Sequence, residues 1–365
     1  FKQKPEKLEW VIAAIVAWQP IGLRDLHRRI KKVDPAFLDF DPFERNHADA
    51  FLFDPSSAAG LSTPRSPDWT VLWEYESQTG YGWAYPADVR AFLTSFLADV
   101  KLRDPGALIL DIGTGKHAAT LIAREMSPHF DLYGIDVARL PPPPKEAQIR
   151  AARMSANQLA FADLQFAAVM SVNGIEYADS ERAFPEMHRV MRAGAAGALV
   201  LHRPDSSIAA SSKNFLGFVE SVPLMETLAL AERYLHKGTD LVRRELARRV
   251  AELRRIEVKH DFGRYYRAVI TGIPNAIRLR GSSPERGHHM IRRFEKDLRW
   301  RYQRDQFVVS HMSRVPTNRE DLGKWLCGYG FEVDVIGEVF DDYARGRTLL
   351  GWAVRFHKPK YKPAN

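Results

Sequence analysis

Gly113 and Gly115 stand directly behind an apolar run, Leu108-Ile-Leu-Asp-Ile112, that carries Asp111 within it. The run is short, rich in branched side chains and free of breakers, so it reads as a buried strand. A helical stretch starts at His117. A strand, a glycine turn and a helix in succession present backbone N–H groups and a helix N-terminus to a ligand. The glycines permit torsions and a close approach that a side chain would block. Tyr133-Gly-Ile-Asp136 closes the next apolar run, 21 residues after Gly115. A carboxylate at that place accepts both hydroxyls of a ribose. The chemistry of this spacing is the holding of a nucleoside.

A second group of residues follows two later apolar runs. Asn173, Glu176 and Tyr177 come after Phe166–Val172, and His202 ends Ala198–His202. If both runs are parallel strands, their ends share the carboxyl edge of the sheet, where ligands bind. His202 has two readings, a general base titrating near neutrality or a hydrogen-bonded loop histidine. Glu176 and Tyr177 read as site or surface. His288 and His289 open a basic helix with no acid at ligand spacing, so a solvated role is expected and no metal site. Cys327 is the one cysteine; no internal disulfide is possible, and a buried structural position is expected for it. No nucleophile-elbow pattern supports a hydrolase.

These residues need a scaffold. Strand and helix alternate from 106 to 205: strands at Ala107–Asp111, Phe130–Asp136, Ile149–Met154, Phe166–Val172 and Ala198–His202, helices at His117–Met126 and Asp179–Met191. Such alternation predicts a parallel sheet covered on both faces. The rhythm returns with a helix near Arg319–Cys327 and strands at Phe331–Ile336 and Leu349–Phe356. Residues 206–317 break it. Two basic amphipathic helices are expected there, one with the stripe Leu241, Leu246, Val250 and Leu253, the other with Met290, Phe294, Leu298 and Tyr302. Residues 1–105 read as an N-terminal extension. It contains short helices around Leu8–Ile30, which pack on the core or form a helix-turn-helix, a loop at 54–68, and an aromatic cluster of Trp69, Trp73, Tyr75, Tyr81, Trp83 and Tyr85. The core is then 106–205 together with 318–357, and 206–317 is a helical insertion.

The order of motifs resembles the class I, seven-strand, S-adenosylmethionine-dependent methyltransferase superfamily. Asp111-Ile-Gly-Thr-Gly115 is similar to its glycine turn, whereas a dinucleotide-binding turn would want glycine at Ala118. Ser155-Ala-Asn-Gln-Leu-Ala-Phe161, Phe166–Ser171, Glu186–Arg192 and Tyr329-Gly-Phe331 follow in the family's order. The resemblance implies an α/β fold, a doubly wound, mostly parallel seven-stranded sheet, with S-adenosylmethionine as cofactor. It implies that Asp111, Gly113, Thr114, Gly115, His117 and Asp136 line the cofactor site, that Asp111 holds the methionine amine through water, that Ser155 and Ala156 lie near the adenine, and that Ser171 and Asn173 lie near the sulfonium. Several positions depart from the pattern. His117 replaces a third glycine, Ser155 an acid and Ala167 an aspartate; Ala193–Gly197 replaces a Pro-Gly-Gly turn; and Pro141–Pro144 must shorten or abolish a family helix.

Charge is concentrated rather than spread. The chain carries +8 overall, while residues 237–304 hold 19 Lys or Arg against 8 Asp or Glu. Arg292, Arg293, Lys296, Arg299 and Arg301, with Trp300 and Tyr302 between them, suit a polyanion, or form a solvated face paired with Glu295 and Asp297. Three functions remain open: a methyltransferase acting on RNA or a ribonucleoprotein, a small-molecule O- or N-methyltransferase with the insertion and the N-terminal aromatics as lid, and a silent methyltransferase-like fold for RNA or ribonucleoprotein binding and assembly. No apolar run is long enough to cross a membrane. An intracellular place is expected, cytoplasmic or, since the sequence opens at Phe1, an organelle matrix after removal of a targeting segment. Oligomeric state is open.

Overall fold

The computed structural model describes residues 66–71, 85–140, 142–256, 263–341 and 346–360. Every described residue belongs to one compact unit, 63–365. The expected helices at Leu8–Ile30, and Trp73, Tyr75, Tyr81 and Trp83, lie outside the described residues.

A seven-stranded sheet has the order β3-β2-β1-β4-β5-β7-β6. Its strands are β1 Leu108–Ile112, β2 Asp131–Asp136, β3 Ile149–Arg153, β4 Phe166–Val172, β5 Met191–His202, β6 Glu332–Asp341 and β7 Thr348–His357. β1 to β5 pair in parallel; β7 runs antiparallel to both β5 and β6. β1, β4 and the end of β5 are buried along their length, as interior strands covered on both faces must be. The α/β, doubly wound, mostly parallel sheet expected from the sequence is therefore present, with its closing pair inserted beyond β5.

Helices supply the covers. α1 Ala87–Arg103 and α2 Ala118–Met126 pack on one face, where Val89, Leu93, Leu97, Ala119 and Ile122 meet Ile109, Leu132 and Met170. α3 Ser180–Val190 and α9 Arg319–Gly328 cover the other, through Phe184, Met187, Leu322 and Leu326 against Leu110, Val169 and Leu199. The sequence reading leaves α1 in the N-terminal extension; its buried side chains belong to the same apolar cluster as the sheet. α3 is capped by Asp179, whose side chain accepts from the Glu181 N–H, and α9 by Asn318, which accepts from the Asp321 N–H, both satisfying otherwise orphaned donors.

Three local expectations need correction. β5 starts at Met191 instead of Ala198. Met191 pairs with Phe166, the register then shifts to Ala168 with Ala196, and the Gly194 N–H donates to the Lys358 carbonyl at 2.8 Å; the expected turn is an irregular strand start. Cys327 is exposed, because α9 buries Leu322 and Leu326, and the next residue turns about 100° away from that stripe. Leu241 is also exposed, at 78%; its neighbour Val242 packs on the apolar cluster with Leu246, Val250 and Leu253 instead. Residues 142–144 are not helical, and only a short 3-10 turn, Lys145–Ala147, follows them.

Between β5 and α9 the described residues form five helices: α4 Ser207–Ser221, α5 Leu224–Lys237, α6 Asp240–Arg255, α7 Gly263–Arg278 and α8 Pro284–Met312. The sequence reading finds two of them, α6 and α8. They enclose a core of their own, including Phe215, Leu228, Leu246, Tyr266, Ile273, Ile291 and Leu298. α8, of 29 residues, also returns to the sheet edge: Val308 and Met312 near its end pack with Ala209, Tyr177 and Trp69.

Candidate active site at the carboxyl edge of the sheet

The turn after β1 is held from behind by β2. The N–H groups of Gly113 and Thr114 both donate to the Ile135 carbonyl at 2.9 Å. Gly113 and Gly115 adopt φ +71° and +51°, and His117 adopts +66°. The last is a non-glycine residue in left-handed conformation where the family pattern wants glycine, and it is the residue from which α2 starts. Thr114 Oγ1 donates to Asp111 Oδ2 at 2.7 Å and lies 3.5 Å from His117 Nδ1. All three side chains are buried.

Asp136 accepts backbone N–H groups on both oxygens, Gly115 on Oδ2 at 3.0 Å and Ala138 on Oδ1 at 2.8 Å, with Val137 contributing a third. An ionised carboxylate has about four acceptor positions, so acceptor capacity remains for a ribose hydroxyl. Burial raises the Asp136 carboxyl above its ordinary value, against the hydrogen bonds from Ala138 and Gly115. Burial also pushes Asp111 up to about 7, opposed by the Thr114 hydrogen bond and assisted by the charge of Asp136. Tyr85, which the sequence reading places only in an aromatic cluster, packs against this side of the core. Its phenol is raised by burial and by the nearby Asp111 charge.

Ser155 and Ala156 follow β3, whose Arg153 pairs with Asp136. Ser155 is exposed and its hydroxyl accepts from the Asn157 N–H at 3.2 Å, while Ala156 is half-buried. Ser171 is fully buried and its hydroxyl is engaged inside the protein, donating to the Ile112 carbonyl at 2.7 Å and accepting from Ile175 N–H at 3.0 Å. It ties β4 to β1 and leaves Asn173 as the polar group beside the expected sulfonium. Asn173 is left-handed at φ +53°, and its Oδ1 is buried with no hydrogen-bond partner among the described residues. An orphaned acceptor beside a glycine turn, and an acid with acceptor capacity to spare, fit a nucleoside with a cationic tail.

Glu176, Tyr177 and His202 come together. The Tyr177 hydroxyl is hydrogen-bonded to His202 Nδ1 at 2.9 Å. Glu176 Oε1 accepts from the His202 backbone N–H at 3.1 Å and lies 3.1 Å from the Nδ1 atom. Glu176 and His202 are both buried. Glu176 Oε2 and His202 Nε2 have no hydrogen-bond partner among the described residues. A carboxylate beside Nδ1 favours the tautomer protonated there, which leaves a lone pair on Nε2. His202 therefore sits in an arrangement suited to taking a proton, as the first of its two sequence readings requires.

The basic helix α8 is less available than its composition suggests. Asp305 is fully buried; a buried charge must be paired, and it draws Arg304 to 2.6 Å and Arg301 to 3.7 Å. Arg301 also lies over the Phe215 ring, 4.3 Å from its centroid. Arg299 pairs with Glu295 at 2.7 Å and Arg292 with Glu232 at 2.8 Å. Arg293 is half-buried and Lys296 exposed. His288 lies 2.9 Å from Glu232. No helix among the described residues is long and apolar enough to cross a membrane.

Residues 110–199 match the family model described as a methyltransferase domain. No curated protein matches the chain. Among solved structures it is similar to a SAM-dependent methyltransferase from Methanosarcina mazei, with 15% identity over 70% of this chain and 94% of that one and a TM-score of 0.35. It is similar to the [4+2]-cyclase SpnF, with 13% identity over 74% of this chain and 80% of that one and a TM-score of 0.33. A chain of a Haloferax volcanii complex containing the Trm112 methyltransferase activator shares 18% identity over 38% of this chain, with a TM-score of 0.29; this chain spans 62% of its length.

Proposed function

We propose that the chain, whose residues 110–199 match a methyltransferase domain, is a class I, S-adenosylmethionine-dependent methyltransferase that methylates a small molecule enclosed between the sheet edge and helix α8. One observation carries this reading: Glu176, Tyr177 and His202 converge at the carboxyl edge, beneath the end of α8. Residues 106–205 and 318–357 act as the core in this account, and 206–317 as a lid.

Asp111, Gly113, Thr114, Gly115, His117 and Asp136 hold the cofactor, with Ser155 and Ala156 toward the adenine and Asn173 toward the sulfonium. S-adenosylmethionine supplies an electrophilic methyl group, so the protein's task is to align the acceptor in line and exclude water. His202 Nε2 takes the acceptor's proton where one must leave. Glu176 balances the imidazolium, and Tyr177 fixes the ring.

The inward pairing of Arg301 and Arg304 with Asp305 favours the lid over a polyanion surface. An RNA or ribonucleoprotein acceptor would rest on Arg292, Arg293 and Lys296. Incubation of the full chain with methyl-tritiated S-adenosylmethionine, with either total RNA or a panel of small hydroxyl and amine compounds, separates the two. Label in the small-molecule fraction is expected. Label confined to RNA, lost when Arg292, Arg293 and Lys296 are changed to Glu, would transfer the proposal to RNA.

A further inference from the structure

Trp69 lies against two rings from distant parts of the chain. Its centroid is 5.3 Å from that of Tyr177, at 42°, and 5.8 Å from that of Phe307, at 75°. Aromatic pairs prefer tilted contacts at such separations. The backbone around Trp69 is anchored at two places. The Asp68 carbonyl accepts from Trp300 Nε1 at 3.2 Å, and Thr70 Oγ1 accepts from the Arg139 N–H at 3.1 Å. Residues 66–71 thus form a strap from helix α8 to the loop behind Asp136. His202 lies beside Tyr177, its ring centroid 6.0 Å from that of Tyr177, with Nε2 buried and unpartnered among the described residues.

We propose that the slot between Tyr177 and Phe307 is the acceptor subsite, that the Trp69 indole plugs it, and that the acceptor is a planar aromatic hydroxyl compound whose ring replaces the indole. This rests on the methyltransferase reading and adds to it the acceptor class. The slot holds an aromatic ring in the structure itself, so it is shaped and lined for one. The base narrows the class further. A thioether sulfur attacks a methyl group without giving up a proton, and needs no base. A phenolic hydroxyl gives one up, and the buried, unpartnered Nε2 of His202, the residue hydrogen-bonded to Tyr177, is the base assigned to receive it. In the step, the acceptor O–H proton passes to His202 Nε2. The oxygen bonds to the methyl carbon of S-adenosylmethionine as the carbon–sulfur bond breaks. The bonding pair stays on sulfur, giving the neutral thioether S-adenosylhomocysteine. Glu176, 3.1 Å from Nδ1, offsets the charge left on the ring.

The test uses the full chain with phenol, 2-naphthol, 4-nitrophenol and benzylamine as acceptors, reads S-adenosylhomocysteine release, and accompanies each assay with calorimetric binding of S-adenosylmethionine. The hydroxyl compounds should be methylated and benzylamine not. Trp69→Ala should lower the KM for 2-naphthol about tenfold, the factor carried by one aromatic pair. 2-Naphthol should change the tryptophan emission of the unaltered chain, and not that of Trp69→Phe. His202→Gln should lose about 10²- to 10⁴-fold on phenol, the range of a general base, and far less on 4-nitrophenol, which ionises without help. Equal losses on the two phenols would overturn the role of His202. An unchanged KM in Trp69→Ala together with unchanged emission would overturn the plug. If S-adenosylmethionine binds and no hydroxyl compound is methylated, the acceptor class falls while the methyltransferase reading stands. If S-adenosylmethionine does not bind, both fall.

Discussion

A Cβ atom placed on Gly113 would lie 2.9 Å from the Cα of Gly174. The turn after β1 and the loop after β4 therefore meet backbone to backbone, and the glycine turn is joined directly to the segment that carries Glu176 and Tyr177. Gly113 is also left-handed, at φ +71°, so a side chain there is disfavoured twice. Gly113→Ala should destabilise the protein by about 1–3 kcal/mol, the cost of a strained backbone position, and should also abolish cofactor binding. Thermal denaturation reads the first effect. A variant as stable as the unaltered protein would show that the two loops do not meet this way.

Asp136→Ala removes the acceptor for the Gly115 and Ala138 N–H groups and for the ribose. Cofactor affinity should fall by about 1.5–3 kcal/mol, the range for hydrogen bonds to a charged group. A dissociation constant within a factor of two of the original would remove Asp136 from the site.

Asp111 gives a pH dependence. Its carboxyl is raised to about 7 by burial, above the unfolded value. A group raised in this way adds stability below its unfolded pKa, and that stability is lost as pH rises through the folded pKa. Stability without cofactor should thus decline between about pH 4 and 7 from this residue, and Asp111→Asn should flatten the decline. Affinity for the cationic methionine tail should move oppositely, rising from pH 6 to pH 8 as Asp111 ionises. Denaturant titrations across that range, with calorimetry of cofactor binding, check both. Identical pH profiles for the unaltered chain and Asp111→Asn would exclude this residue from both effects.

Asp305 pins α8 to α4. Its Oδ1 accepts from Ser212 at 3.3 Å and from Arg304. Asp305→Asn leaves the half-buried guanidinium groups of Arg301 and Arg304 without their counter-charge, a destabilisation below the roughly 3–5 kcal/mol of a fully buried pair that loses one partner. Loss of acceptor turnover with cofactor affinity retained is expected if the variant folds. A melting temperature unchanged from the original would mean that the pair does not hold the helix.

The core was legible because its signals are local. Phe166–Val172 is a strand over the very residues its apolar run predicts, and Asp136 ends β2 behind the glycine turn. The start of β5 was not, since an Ala/Gly run has no periodicity to read and the strand forms only through Phe166 and Lys358. Cys327 follows a buried leucine by one residue, and type alone does not report a turn of 100°. The pairing of Glu176, Tyr177 and His202 rests on β4 lying beside β5; the sequence puts both strand ends on one edge but does not make the strands neighbours. Trp69 had no such signal: its partners lie on a strand-edge loop and on the end of a distant helix, and only tertiary packing brings them together. Arg301 and Asp305 are spaced for an ion pair on a helix, but the sequence does not say that Asp305 is buried, and burial is what turns the arginines inward.

The most direct measurement is calorimetric titration of the full chain with S-adenosylmethionine. The account predicts saturable binding with one site per chain, weakened in Asp136→Ala and stronger at pH 8 than at pH 6. No heat of binding at millimolar cofactor, from protein shown to be folded by its thermal transition, would contradict it.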